Sequence, residues 1–158
     1  MSVATKNETV RFFSDEWAEA ARQVVDDGPD DAEKATKLPT YWEWIERARK
    51  SYSYSWALGV RDLPAGLGGP SYLVLNWQEG RCAEASVIGP EEPVKADYVL
   101  VGDFATWQGL LAGERDPQRL VMYRQLKLQE GSNTLMFFRG IYFFVESVGA
   151  IGRIPAHF

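Results

Sequence analysis

Residues 95–138 read KADYVLVGDFATWQGLLAGERDPQRLVMYRQLKLQEGSNTLMFF, and the order of elements in this stretch decides the fold. Tyr98 and Leu100 alternate with Val99 and Val101, which predicts a strand covered on both faces. Asp103 follows as a helix N-cap, its carboxylate placed to accept an orphan backbone N–H. Phe104, Trp107, Leu110 and Leu111 recur at near-helical spacing and give the helix one apolar stripe. Gly113 stops it. Asp116-Pro117 starts a short second helix in the preferred order of cap, then first-turn proline. Leu126 and Leu128 flank Lys127 in strand alternation, Gly131 ends that strand, and an apolar helix begins.

This succession resembles the sterol carrier protein type 2 family. The residues that carry the resemblance are Ala96-Asp97 opening a strand, Gly102 at its end, Trp107 with Leu110-Leu111-Ala112-Gly113, Asp116-Pro117, and Leu126-Lys127-Leu128 closed by Gly131. Two features depart from the family pattern: Arg124-Gln125 stands where a glycine is usual, and Ser132 where an acid is common. The resemblance implies a tunnel between a curved sheet and its helices, taking fatty acyl chains, sterols or phospholipids. It attaches no catalytic role to any residue.

Composition sets the outer limits. A chain of 158 residues is expected to form one domain, 1–158, with a core that needs no disulfide or metal. Within it, 1–40 are an arm and helix outside the clear resemblance, 41–148 the core and 149–158 a frayed tail. The net charge of -5, with no basic run longer than Arg47-Ala48-Arg49-Lys50, argues against nucleic-acid binding. The single cysteine, Cys82, fits a reducing compartment. No apolar leader opens the sequence, and Ala156-His157-Phe158 is no peroxisomal signal, so cytoplasm is expected.

Ser14 is expected to cap a first helix whose buried stripe is Trp17, Ala20, Ala21, Val24 and Val25, ended by Asp26-Asp27-Gly28-Pro29. Pro39 opens another helix with Tyr41, Trp44, Ile45 and Ala48 on its inner face. Tyr52, Tyr54, Trp56 and Leu58 then alternate with small residues, the clearest strand signal in the chain. Leu73–Trp77 and Ala83–Ile88 are predicted strands joined as a hairpin near Glu79-Gly80. The glycines of the 63–70 loop do not form a phosphate cradle, since no helix and no Lys-Ser/Thr follows them. The final helix is expected over about 132–148, apolar except for Ser132, Arg139 and Glu146, and ended by Gly149, Gly152 and Pro155.

Catalytic options are few. His157 is the only histidine, which removes the usual triads, dyads and zinc sites, so no metal and no cofactor is expected. Cys82 reads as a small buried residue. Asp97 on an apolar strand would be a general acid or base only if buried beside Tyr52, Tyr54, Tyr98 or Tyr142; its structural alternative is to take backbone N–H groups at the strand's start.

The expected fold is therefore α/β of the α+β type: a five-stranded mixed, mostly antiparallel sheet covered by helices, sterol-carrier-like, with an apolar cavity between them. The expected function is non-catalytic binding and intracellular delivery of a hydrophobic ligand. Its wall is assigned to Trp44, Trp56, Phe104, Trp107, Leu111, Met122, Met136, Phe137, Ile141 and Phe144, with Arg139 as partner for an acidic head. Two alternatives stand beside it. One is an enzyme using Asp97 on a hydrophobic carbonyl substrate. The other is an interaction module with a filled core, whose apolar C-terminal helix packs on a second copy or a partner enzyme.

Overall fold

A computed structural model describes residues 10–62, 71–89, 94–122, 125–129, 137 and 140–157, excepting the side chains of Gln118, Met122 and His157. The chain begins with β1 (Val10–Arg11) and α1 (Asp15–Asp27), where Ser14 Oγ accepts the Trp17 N–H at 3.2 Å. The aliphatic stripe of α1 turns slightly from expectation: Trp17, Ala18, Ala21 and Val25 are buried, while Ala20 and Val24 are half-buried. Asp30 caps the short α2 (Asp31–Lys34), and Pro39 opens α3 (Pro39–Lys50) at its first turn.

In α3 the expected inner face is corrected. Trp42 and Ile45 are buried, and Trp44 is 64% exposed. Two tryptophans two positions apart lie on opposite sides of a helix, so one must face water. Tertiary contacts choose between them. The Trp42 indole donates to Lys34 O at 2.8 Å, and Arg49, one turn below Ile45, donates through Nε to Gly80 O at 2.7 Å.

The main sheet has the order β4-β3-β2-β5-β6, made of β2 (Ser55–Val60), β3 (Ser71–Gln78), β4 (Arg81–Ile88), β5 (Tyr98–Gly102) and β6 (Lys127–Leu128). Only the central β2–β5 pair is parallel; the other three pairings are antiparallel. This is the five-stranded, mixed, mostly antiparallel sheet that the sequence predicts. The β3–β4 hairpin turns at Glu79 and Gly80, both at positive φ (49° and 81°), as a tight two-residue turn requires. Leu73, Leu75 and Trp77 of β3 point inward, alternating with half-buried Tyr72, Val74 and Asn76. Residues Tyr52 and Tyr54 precede β2 rather than belong to it.

After β5, Asp103 Oδ1 accepts the Thr106 N–H at 2.7 Å and starts α4 (Phe104–Leu111), followed by α5 (Pro117–Met122). The last helix, α6 (Ile141–Gly152), starts at a turn on Gly140 and runs through both glycines expected to stop it. They are contact points: a β-carbon on Gly149 would lie 3.3 Å from Pro117, and one on Gly152 would press on Leu110. Phe143, Phe144, Val145, Val148 and Ile151 are buried against the sheet and against α1, α3, α4 and α5. Most of the apolar surface of α6 is thus covered within the chain, with Tyr142, 43% exposed, as the exception. The tail does not fray either, because β7 (Ala156–His157) pairs in parallel with β1. Among the described residues no helix is long and apolar enough to cross a membrane.

Candidate functional site

The face of the sheet under α6 carries a continuous layer of rings. β2 places Trp56 at its centre, wholly buried. Its ring centroid lies 5.2 Å from Trp77, 4.9 Å from Phe144, 5.7 Å from Phe143 and 5.8 Å from Tyr52. Phe137 extends the layer, 5.0 Å from Phe144 and 5.5 Å from Tyr98. Edge-to-face geometry predominates, as the quadrupoles of packed rings favour. The Trp56 indole donates to the Tyr52 hydroxyl at 2.8 Å, so this pair is satisfied inside the layer. Burial is the main cause that raises the Tyr52 hydroxyl far above the ordinary phenol range.

The proposed wall residues divide among several places. Trp56, Phe137 and Phe144 meet in this layer. Half-buried Ile141 stands at the start of α6 and packs on the same core. Phe104 and Trp107 of α4 belong to a second cluster with Phe12, Phe13 and Trp17; the Trp107 indole donates to Gly59 O at 3.0 Å. The small-residue side of β2 at Gly59 is instead covered by the Tyr72 ring. Leu111 lines an open groove of about 740 Å³ between α4 and the end of α6. Trp44 stands apart on the surface, stacked on Tyr142 at 6.1 Å. Met136, Arg139 and the side chain of Met122 lie outside the described residues, as does the glycine-rich 63–70 loop. Sequence reading set Tyr52 and Tyr98 beside Asp97 but left them, with Trp77 and Phe143, out of the wall. The inward alternation of β3 was the signal for Trp77.

Further clefts flank α3, among them an open one of about 700 Å³ along Leu38, Tyr41 and Trp44. A small apolar one of about 30 Å³ lies between Val24, Val25, Trp42, Ile45, Phe143 and Ala150. It has room for about one water. A wide groove of about 1210 Å³ is lined by charges of both signs and floored by Asp26, Arg49 and Arg81. Asp26 accepts from Arg81 at 2.8 and 2.7 Å and from the Cys82 N–H at 3.0 Å, while Arg49 Nη2 donates to Asp26 O. These contacts, Arg81 first, hold the Asp26 carboxyl at about 2. The groove floor is thus a self-satisfied clamp tying α1 and α3 to the β3–β4 turn.

Asp97 is exposed, and its Oδ2 accepts from Ser55 N at 2.8 Å and Ser55 Oγ at 3.1 Å. The burial that acid–base work would require is absent, and the structural alternative describes it. Cys82 is buried, and desolvation, with the Asp26 charge second, pushes its thiol up to about 11. Among the described residues no group of three His, Cys, Asp or Glu side chains is arranged to hold a metal.

A mixed five-stranded sheet with an apolar C-terminal helix laid over an aromatic face defines the class of domain. Among solved structures, the chain is similar to a crystal structure of sterol carrier protein 2, with a TM-score of 0.68 and 25% identity over 91% of this chain and 99% of that one. It is also similar to the solution structure of a conserved hypothetical protein of Thermus thermophilus, described as possibly sterol carrier protein. There the TM-score is 0.67 at 22% identity, covering 98% of this chain and 97% of that one. No family model matches the chain, and no curated protein does. The domain has a sterol carrier protein 2-like fold.

Proposed function

We propose that this protein binds a hydrophobic ligand between its sheet and α6 and delivers it within the cytoplasm, without catalysis. The ligand classes are a fatty acyl chain, a sterol or steroid, or a phospholipid. The observation that carries this reading is the sterol carrier protein 2-like fold across nearly the whole chain. The aromatic layer under α6 supplies matching chemistry, since apolar burial yields about 25 cal/mol per Å². The rings are closely packed, so uptake requires α6 and the layer to part; an opening of this kind draws on the adaptability of a helix held by side-chain packing. The proposed wall is Trp56, Phe137, Ile141 and Phe144, with Phe104, Trp107 and Leu111 reached by a longer ligand. Met122, Met136 and Arg139 stay in it on sequence grounds, and all of 1–158 acts as one domain.

Native mass spectrometry followed by lipid extraction tests this. A fatty acid, sterol-like molecule or phospholipid co-purifying at near one per chain is the expected result. An empty protein that takes up neither added acyl chains nor steroids overturns the reading and establishes a filled core.

A second reading, contact with another copy or with an enzyme, keeps one observation. Leu38, Trp44 and Tyr142 are 74%, 64% and 43% exposed, and Trp44 and Tyr142 are stacked on each other. A mass that rises with concentration in the native chain and not in Trp44→Ser would support it.

A further inference from the structure

The large apolar side chains left exposed among the described residues, Leu38, Trp44 and Tyr142, gather on one face. Leu38 and Trp44 line the open groove of about 700 Å³ on α3, and Tyr142 stacks on Trp44 at 6.1 Å. Scattered apolar residues are ordinary on a surface; a gathered set marks a contact site. The face is also held still. Tyr41, 5.9 Å from the Tyr142 ring, donates its hydroxyl to Glu146 Oε1 at 2.6 Å, and Lys37 Nζ reaches the same oxygen at 2.6 Å. Side chains fixed before contact lose little freedom on binding, and Trp, Tyr and Arg are the residues that anchor interfaces.

The charges beside the rings indicate what covers them. Glu43 and Arg47 line the same groove, both exposed and four residues apart on α3. Their order favours an intrahelical pair, yet among the described residues neither side chain has an ion-pair or hydrogen-bond partner. At about 100° per residue both fall on the same side of Trp44. A two-fold axis at the level of Ile45, midway between them, runs α3 of a second copy antiparallel to the first. It sets each Glu43 opposite the Arg47 of the other copy, so one idle carboxylate and one idle guanidinium per chain become two ion pairs. Trp44 of each copy then packs into the groove of the other, between those pairs. A lipid surface matches this face less well. Glu43 and Glu146 belong to it and the chain carries a net charge of -5, whereas helices that settle on lipid carry Lys and Arg in excess.

We propose that Leu38, Trp44 and Tyr142 form a docking surface for a second copy of this chain, with the two α3 helices antiparallel and Glu43 paired to Arg47 across the axis in both directions. This is independent of ligand carriage; it rests on the reading of contact with another copy and gives that reading its surface and geometry. One helix face with a flanking ring is a small interface, so the dissociation constant is expected on the order of 10 µM.

Sedimentation equilibrium of the full chain from 1 µM to 1 mM tests this. The average mass should climb from one chain towards two. Trp44→Ser should raise the dissociation constant about tenfold or more. Glu43→Arg and Arg47→Glu each place like charges opposite one another twice, and each should weaken association by a similar factor. The double variant Glu43→Arg/Arg47→Glu restores opposite charges at both contacts and should return within about threefold of the native value. All four positions-changed chains should keep the native circular dichroism, since the side chains altered are exposed. A native chain that stays monomeric to 1 mM overturns both the surface and contact with another copy. A mass that rises equally in Trp44→Ser overturns the surface alone. A double variant as weak as the single ones overturns the antiparallel pairing. A monomeric chain that sediments with vesicles of phosphatidylcholine and phosphatidylserine, and ceases to in Trp44→Ser, assigns the face to a membrane and overturns the proposal.

Discussion

Gly152 of α6 and Leu110 of α4 touch so closely that a β-carbon on the glycine would lie 2.8 Å from Leu110 Cγ and 3.2 Å from its carbonyl oxygen. The backbone oxygen cannot rotate away. Gly152→Ala should therefore cost about 1–3 kcal/mol through overpacking, although alanine is the better helix former by about 1 kcal/mol. Gly149 faces only the Pro117 ring, at 3.3 Å, and the Arg153 side chain. Gly149→Ala should fall within about 1 kcal/mol of the native chain. Urea unfolding of the two variants side by side checks this order; equal costs would mean that α6 shifts freely past α4.

Trp42 and Trp44 offer the same comparison on α3. Trp42→Ala removes a side chain 7% exposed, together with its bond to Lys34 O, and should cost about 3–5 kcal/mol. Trp44→Ala should change stability by less than about 1 kcal/mol, since the ring is mostly in water. Reversal of the two would restore the helix phase suggested by the sequence.

Asp26 makes the acid stability of the fold sensitive to one carboxyl. Its folded value of about 2 lies below the ordinary 3.8, with Arg81 the largest cause. The stabilisation is thus complete above the ordinary value and is lost as pH falls from there through about 2. Arg81 is 74% exposed, and solvent screening leaves about 1–2 kcal/mol of the charge effect. Asp26→Asn should be less stable by that amount at pH 7, and the gap should shrink as pH falls below 3.8 and close only below about pH 2. A gap that persisted in acid would assign the clamp to packing.

Cys82 should resist thiol reagents. It is 2% exposed, and burial has raised its thiol to about 11, so thiolate is scarce at neutral pH. Labelling by a disulfide reagent at pH 8 should run at the rate of structural opening and become immediate in denaturant. Rapid labelling of the native chain would contradict the burial.

Much of this fold is legible locally. The caps at Ser14 and Asp103, the proline at the start of α3, the Glu79-Gly80 turn and the β3 alternation each depend on neighbours a few residues away. The same holds for the order strand, helix, helix, strand over residues 98–128, which carried the resemblance. Asp97 as an anchor for Ser55 was equally one of two local readings, and exposure decided it.

Sequence alone determined the elements and their order, because period, caps and turns are set within one or two turns of chain. Tertiary structure decided which tryptophan of α3 faces inward, since both faces are aromatic and only Lys34 and the β3–β4 turn discriminate them. It turned two expected helix stops into contact points, because a glycine without a side chain serves either role and only Pro117 and Leu110 settle which. It also sorted the aromatics into a layer under α6, a second cluster around Trp107 and a surface pair, and left Tyr98 without a partner. Those distinctions depend on strand register between residues far apart in the chain, which no local spacing encodes.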